Sequence, residues 1–138
     1  MTVTYLDTSA AMKLVLDEPE SEALVDELSS ATDRRLVSSW LLHTEMHCAA
    51  GRHPHQIDLG SVRAVLDVVT LVDLIRGDLL AAGSHAPLRS HDAIHLAVAL
   101  RVGSDELAAY DAELARAAEG AGIVVLSPGA GDPDLPHR

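Results

Sequence analysis

Two periodicities alternate along the chain: short runs rich in β-branched residues, then stretches whose apolar positions recur three and four apart. The first run, over 2–6, predicts a strand that stops where Asp7, Thr8 and Ser9 gather as helix-capping residues. Helical composition over 10–16 is broken around Pro19, which suits the first turn of a second helix reaching about Leu28. A second strand is predicted over 35–39 and a helix over 40–50 ending near Gly51. A loop over 52–55 follows, then a helix over 58–67. Residues 68–72 read as a third strand, and Asp73 as the cap of a helix running to about His85. Pro87 then punctuates the chain. Ser90 is the expected N-cap of a helix over 90–102, with Gly103 just past its end. A fourth strand is predicted over 107–110, a helix over 112–118 and a buried fifth strand over 123–126. One domain over 1–128 is expected, with a flexible tail over 129–138 where Gly and Pro cluster. Strands alternating with helices predict an α/β fold, a mostly parallel sheet covered on both faces, with ligands at the carboxyl ends of its strands.

Composition narrows the function classes. A hydrophobic fraction of 48 % over 138 residues supplies one core. That core is aliphatic, since Trp40, Tyr5 and Tyr110 are the only aromatics, which argues against a base-stacking RNA-recognition sheet. A formal net charge of −11 repels nucleic acid in bulk, unless bound cations supply positive charge locally. The single cysteine, Cys48, fits a reducing compartment. No apolar run approaches the length of a membrane span, so a cytoplasmic protein without membrane contact is expected.

Four acids fall on the carboxyl edge of the predicted sheet by separate arguments. Asp7 ends strand one and Asp111 ends strand four. Asp92 lies in the first turn of a helix running back along the sheet, and Glu45 sits in the helix that leaves strand two. Taken singly, each aspartate is an ordinary helix cap or first-turn acid. Together, carboxylates at about 5 Å repel by roughly 3 kcal/mol per pair at an effective dielectric of about 20, so convergence implies a cation. Oxygen ligands suit Mg²⁺, with Mn²⁺ as a substitute, and the chemistry implied is metal-assisted phosphodiester hydrolysis.

The segments Tyr5-Leu6-Asp7-Thr8-Ser9-Ala10, Ser38-Ser39-Trp40-Leu41-Leu42-His43-Thr44-Glu45, Ser90-His91-Asp92-Ala93-Ile94-His95-Leu96-Ala97 and the stretch from Tyr110-Asp111 onward resemble the PIN domain in order and spacing. The resemblance spans 2–128 and is nearest to the VapC group, the ribonuclease toxins of toxin–antitoxin pairs. It implies a three-layer α/β/α fold whose five-stranded parallel sheet has the order 3-2-1-4-5. It also implies a Mg²⁺-dependent endoribonuclease acting on RNA, a homodimer, and a small VapB-like antitoxin partner. By match to the motifs, Asp7 and Asp92 are the principal metal ligands, completed by Glu45 and Asp111. One position departs from the pattern: Ala109 stands where the family commonly has Thr or Ser, two residues before the fourth acid, removing a hydroxyl that would orient a carboxylate or water.

Eight histidines sustain a competing reading. His43 and His47, like His91 and His95, are four apart and share a helix face, as zinc ligands of a hydrolase do. Glu45 lies about 200° around the helix from both His43 and His47, so that helix cannot serve both sites equally. The plain reading of all eight is surface or part-buried histidine, with His91 at the site entrance through its neighbour Asp92. The residues also fit a non-toxin PIN ribonuclease in RNA processing, and a PIN-like binding module without activity. Arg34, Arg35, Arg52 and Arg89 are candidates for RNA phosphates near the sheet edge.

Overall fold

The computed structural model describes residues 1–131. Its elements run β1 (Thr2–Leu6), α1 (Thr8–Val15), α2 (Ser21–Ser29), β2 (Arg34–Ser39), α3 (Trp40–Arg52), α4 (Leu59–Val68) and β3 (Thr70–Val72). They continue with α5 (Arg76–Ala82), a 3₁₀ turn (Gly83–His85), α6 (Ser90–Arg101), β4 (Glu106–Ala108), α7 (Ala112–Gly120) and β5 (Val124–Leu126). The five strands form one parallel sheet in the order β3-β2-β1-β4-β5, as the family resemblance implied.

Side-chain alternation along the strands divides the core into two layers. Leu6 and Ala108 face a cluster with Ala10, Leu24, Leu42, Met46 and Val62, contributed by α1 to α4. Tyr5 and Leu107, one residue earlier on β1 and β4, face the opposite cluster with Leu96, Val98, Leu114 and Ala118, contributed by α6 and α7. The chain winds outward from β1 through β2 to β3, then crosses over to β4 and β5 on the other side of β1. The order therefore reverses between β1 and β4, and a crevice opens beyond their carboxyl ends, where open α/β sheets place their ligands.

Several boundaries differ from those the sequence predicts, and four of them have a clear local reason. Residues 68 and 69 do not belong to β3, because Val68 completes α4 and the N–H of Val69 still bonds the Leu66 carbonyl. Asp73 does not cap α5: the helix begins at Arg76, and it is the Asp78 carboxylate that accepts the N–H of Ile75 at 3.0 Å. Ser90 is the first residue of α6 rather than its cap, a position held by the extended Arg89. β4 ends at Ala108. Ala109 still donates to Leu126, but Tyr110 leaves the ladder and gives its N–H to the Ser9 hydroxyl.

Gly103 closes α6 as expected. Its φ of 68° is a left-handed conformation that glycine adopts without strain, and Ser104 N–H then reaches back to Ala99. Just ahead of the anticipated tail, Tyr110 donates its hydroxyl to the Pro128 carbonyl at 2.7 Å, and within the tail the N–H of Ala130 bonds the Ser127 carbonyl. Residues 132–138 lie outside the described residues.

Candidate active site

Asp7 and Asp111 are both helix N-caps. Asp7 Oδ1 accepts the N–H of Ala10 at 2.9 Å, and Asp111 Oδ1 accepts that of Leu114 at 2.9 Å. Capping does not account for where they sit. Asp7 is 1 % exposed at the end of the central strand, and burial pushes its carboxyl up to about 6, against the hydrogen bonds that favour its charge. Ser9 supplies one of these, its hydroxyl lying 2.8 and 3.0 Å from the two Asp7 oxygens. The same hydroxyl accepts the N–H of Tyr110, tying the ends of β1 and β4 together. A hydroxyl thus supports the site from Ser9, while Ala109 provides none. Ser127 reaches the Ala109 carbonyl from the β5 side.

Asp92, in the first turn of α6, is also buried. Burial holds its carboxyl above the usual range and the charge of Asp111 adds to this, while His91, His95 and Arg89 oppose it. Glu45, Asp92 and Asp111 line one cleft of about 190 Å³ together with Thr8 and Ser9. Asp7 does not form its wall; it lies beneath Ser9 and reaches the cleft through that side chain. Arg89 and His91 stand at the same cleft, and His91 Nε2 is 3.5 Å from Asp92 Oδ1. Three of the four predicted acids therefore line one cleft at the carboxyl edge of the sheet, and Asp7 stands behind it through Ser9.

Glu45 reaches the cleft from α3, on one face of the sheet, and meets His95 of α6, on the other. His95 Nε2 lies 2.7 Å from Glu45 Oε1, and the Thr8 hydroxyl donates to the same oxygen at 2.7 Å. Burial works against the charge of Glu45, yet these bonds outweigh it and hold its pKa below the ordinary value. His95 is wholly buried, and its Nδ1 is 2.7 Å from the Tyr5 hydroxyl. Burial pushes the Tyr5 phenol up to about 12.

Sequence alone offers His95 as a zinc partner of His91 or as an ordinary histidine, and gives Tyr5, Thr8 and Ser9 no part in the site. A signal is nevertheless present: His95 is the one polar side chain between Ala93 and Leu100, and a polar residue inside an apolar helical run needs a buried partner.

The other histidine pair is arranged differently. His47 Nδ1 bonds the His43 carbonyl at 2.7 Å and the two rings stack at 4.2 Å, leaving His47 a single free nitrogen. Arg34 lies at the opposite edge of the sheet, paired with Glu106 at 3.2 Å, so of the four candidate arginines for phosphate contact only Arg89 lines the cleft.

The donor set at the cleft is oxygen-rich and hard. Among the described residues no group of three or more His, Cys, Asp and Glu side chains forms a ready metal cage. Asp7 and Asp92, both charged only against the cost of burial, are the groups a cation would relieve. Among the described residues, no helix is long and apolar enough to cross a membrane.

Comparison with known proteins agrees with this architecture. The PIN domain family model matches residues 4–120. Ribonuclease VapC35 of Mycobacterium tuberculosis is 40 % identical over 131 residues, covering 91 % of this chain and 96 % of the relative. Ribonuclease VapC46 of the same organism is 39 % identical over 137 residues, covering 93 % and 99 %. In solved structures, the fold is shared with M. tuberculosis VapC20, described as a sarcin-ricin loop cleaving toxin, with a TM-score of 0.68 at 18 % identity over 91 % of this chain and 99 % of that one. VapBC-1 from nontypeable Haemophilus influenzae gives a TM-score of 0.67 at 18 % identity, over 91 % and 97 %. The family match over most of the chain, with relatives near 40 % identity along nearly their whole length, makes this chain a member of the PIN domain family, within its VapC group.

Proposed function

We propose that this chain is a metal-dependent endoribonuclease, the toxin of a VapBC-type pair, and that it cuts RNA phosphodiesters at the acidic cleft. The observation that carries the reading is the convergence of Asp7, Glu45, Asp92 and Asp111 on one sheet edge, two of them held above their ordinary pKa by burial. Mg²⁺, or Mn²⁺ in its place, would be held by these carboxylates, with Asp92, Glu45 and Asp111 at the cleft and Asp7 behind Ser9. When bound, such an ion activates water and stabilises charge on the phosphate and the leaving oxygen.

The chain's own residues do the rest. Thr8 and His95 fix Glu45, Ser9 fixes Asp7, and Arg89 offers a guanidinium to an RNA phosphate entering a cleft that also holds Glu45, Asp92 and Asp111. A net charge of −11 makes that local positive charge necessary, because the surface as a whole repels the substrate.

The partner this reading implies is a small VapB-like antitoxin that places a basic side chain among the acids, substituting for the cation's charge. A homodimer of the chain belongs to the same reading. The purified protein is expected to cleave single-stranded RNA internally with Mg²⁺ or Mn²⁺ and to stop in chelator. Asp92→Asn is expected to lose orders of magnitude in rate with its circular dichroism unchanged. Cleavage that survives both chelator and Asp92→Asn would overturn the metal site. Arrest of growth on expression of the chain alone, relieved by co-expression of its antitoxin, tests the toxin assignment; a harmless chain with no co-purifying small protein refutes it.

A further inference from the structure

Glu45 is held unlike the three aspartates. Its two protein donors, the Thr8 hydroxyl and the His95 imidazole, meet the same oxygen, Oε1, each at 2.7 Å. Oε2 takes neither, and Glu45 lines the cleft. The carboxylate is thus anchored through one oxygen and presents the other.

What anchors it is itself held. His95 is wholly buried on α6, and the Tyr5 hydroxyl stands 2.7 Å from its Nδ1. Tyr5 belongs to β1, the central strand, and is likewise wholly buried. A phenol keeps its proton at neutral pH, so it can donate to Nδ1, and an imidazole ring that accepts at Nδ1 carries its hydrogen on Nε2. Nε2–H then points at Glu45 Oε1, with the Thr8 oxygen 3.1 Å away. The other tautomer would set the Nε2 lone pair against the lone pairs of Oε1 at 2.7 Å, with no proton between them.

The geometry points to His95 as a positioning residue: Tyr5 fixes its tautomer, and its Nε2–H pins Glu45 Oε1 so that Oε2 is presented to the divalent cation. This rests on the metal site proposed above. Removing such a support behind a ligand characteristically weakens metal binding by about ten-fold to a hundred-fold.

The test is Mn²⁺ titration of the metal-free protein, read by electron paramagnetic resonance, with thermal melts of each variant to confirm folding. Tyr5→Phe and His95→Leu are expected to bind Mn²⁺ about ten-fold more weakly than wild type. His95→Gln, whose amide N–H can take the place of Nε2–H, is expected to stay within about three-fold of wild type, a rescue that a purely structural role would not produce. Nitrogen-15 NMR of the wild type is expected to show a proton on His95 Nε2, facing Glu45. Folded Tyr5→Phe and His95→Leu that bind as tightly as wild type overturn the positioning role and leave the metal site standing. A Gln variant no better than the Leu variant, or a His95 protonated at Nδ1 instead, also overturns it. A wild type that binds no Mn²⁺ removes both. Should His95→Leu fail to fold, Tyr5→Phe, which loses a single oxygen, decides the matter.

Discussion

Replacing Asp7 with Asn is expected to stabilise the metal-free protein. Asp7 is 1 % exposed, and its pKa rises from 3.8 to about 6 on folding, mainly through burial. A carboxyl whose folded pKa is raised favours the native state below about pH 3.8, where it is protonated in both states, and that advantage is lost as pH climbs through about 6. A shift of about two units corresponds to about 3 kcal/mol lost at neutral pH. Asn still caps α1, but it exchanges one of the oxygens facing the Ser9 hydroxyl, at a cost of about 1 kcal/mol. The net gain is about 2 kcal/mol. For 138 residues the melting entropy is about 290 cal/mol/K, so the melting temperature should rise by about 7 °C at pH 7.5 in chelator. The gain should fall to about a third at pH 5, where the folded carboxyl is mostly protonated, disappear near about pH 4.5, and turn into a loss of about 1 kcal/mol below the unfolded pKa, where only the cost of the exchanged oxygen remains. Scanning calorimetry of both proteins across pH 4 to 8 reads this directly. An Asn variant that melts at or below wild type at pH 7.5, or whose advantage does not shrink with pH, refutes the idea that this carboxylate carries uncompensated charge.

Mg²⁺ at a hundredfold excess over its dissociation constant is expected to stabilise the wild type by about 2.7 kcal/mol, and Asp92→Asn much less, in the same calorimeter. Asp78→Ala should cost about 2–3 kcal/mol in urea denaturation. Asp78 is buried and receives two hydrogen bonds from Arg101, at 2.7 and 3.0 Å, but the partly exposed guanidinium can recover water. The doubly substituted His43→Ala, His47→Ala protein should cleave RNA at the wild-type rate with Mg²⁺. Loss of cleavage there, restored by Zn²⁺, would revive the zinc reading.

The strands and helices were legible because their signals are local. The run over 2–6, the cap at Asp7, the glycine after α6 and the apolar alternation that splits Tyr5 from Leu6 each act within a few residues. The acids could be placed on one edge because strand ends and first turns follow from that local order. The support of Glu45 was not legible. Its partner His95 is 50 residues away in sequence and Tyr5 is 90 from His95, and no spacing rule links residues brought together only by a crossover. The end of the fourth strand was hidden for a related reason. Residues 107–110 are uniformly apolar, and what ends the ladder is a distant hydroxyl, Ser9, claiming the N–H of Tyr110.

Lys13 has a practical consequence for anyone handling this protein. It is the chain's only lysine; its ammonium is 3.1 Å from Glu20 and 3.3 Å from Glu18, and it lies over the ring of Tyr110. Its side chain is only 9 % exposed. Amine-reactive dyes, crosslinkers and sensor surfaces will therefore find no freely accessible lysine ammonium on this chain. The cleft lined by Glu45, Asp92 and Asp111 holds no lysine either, so lysine chemistry leaves it unmodified.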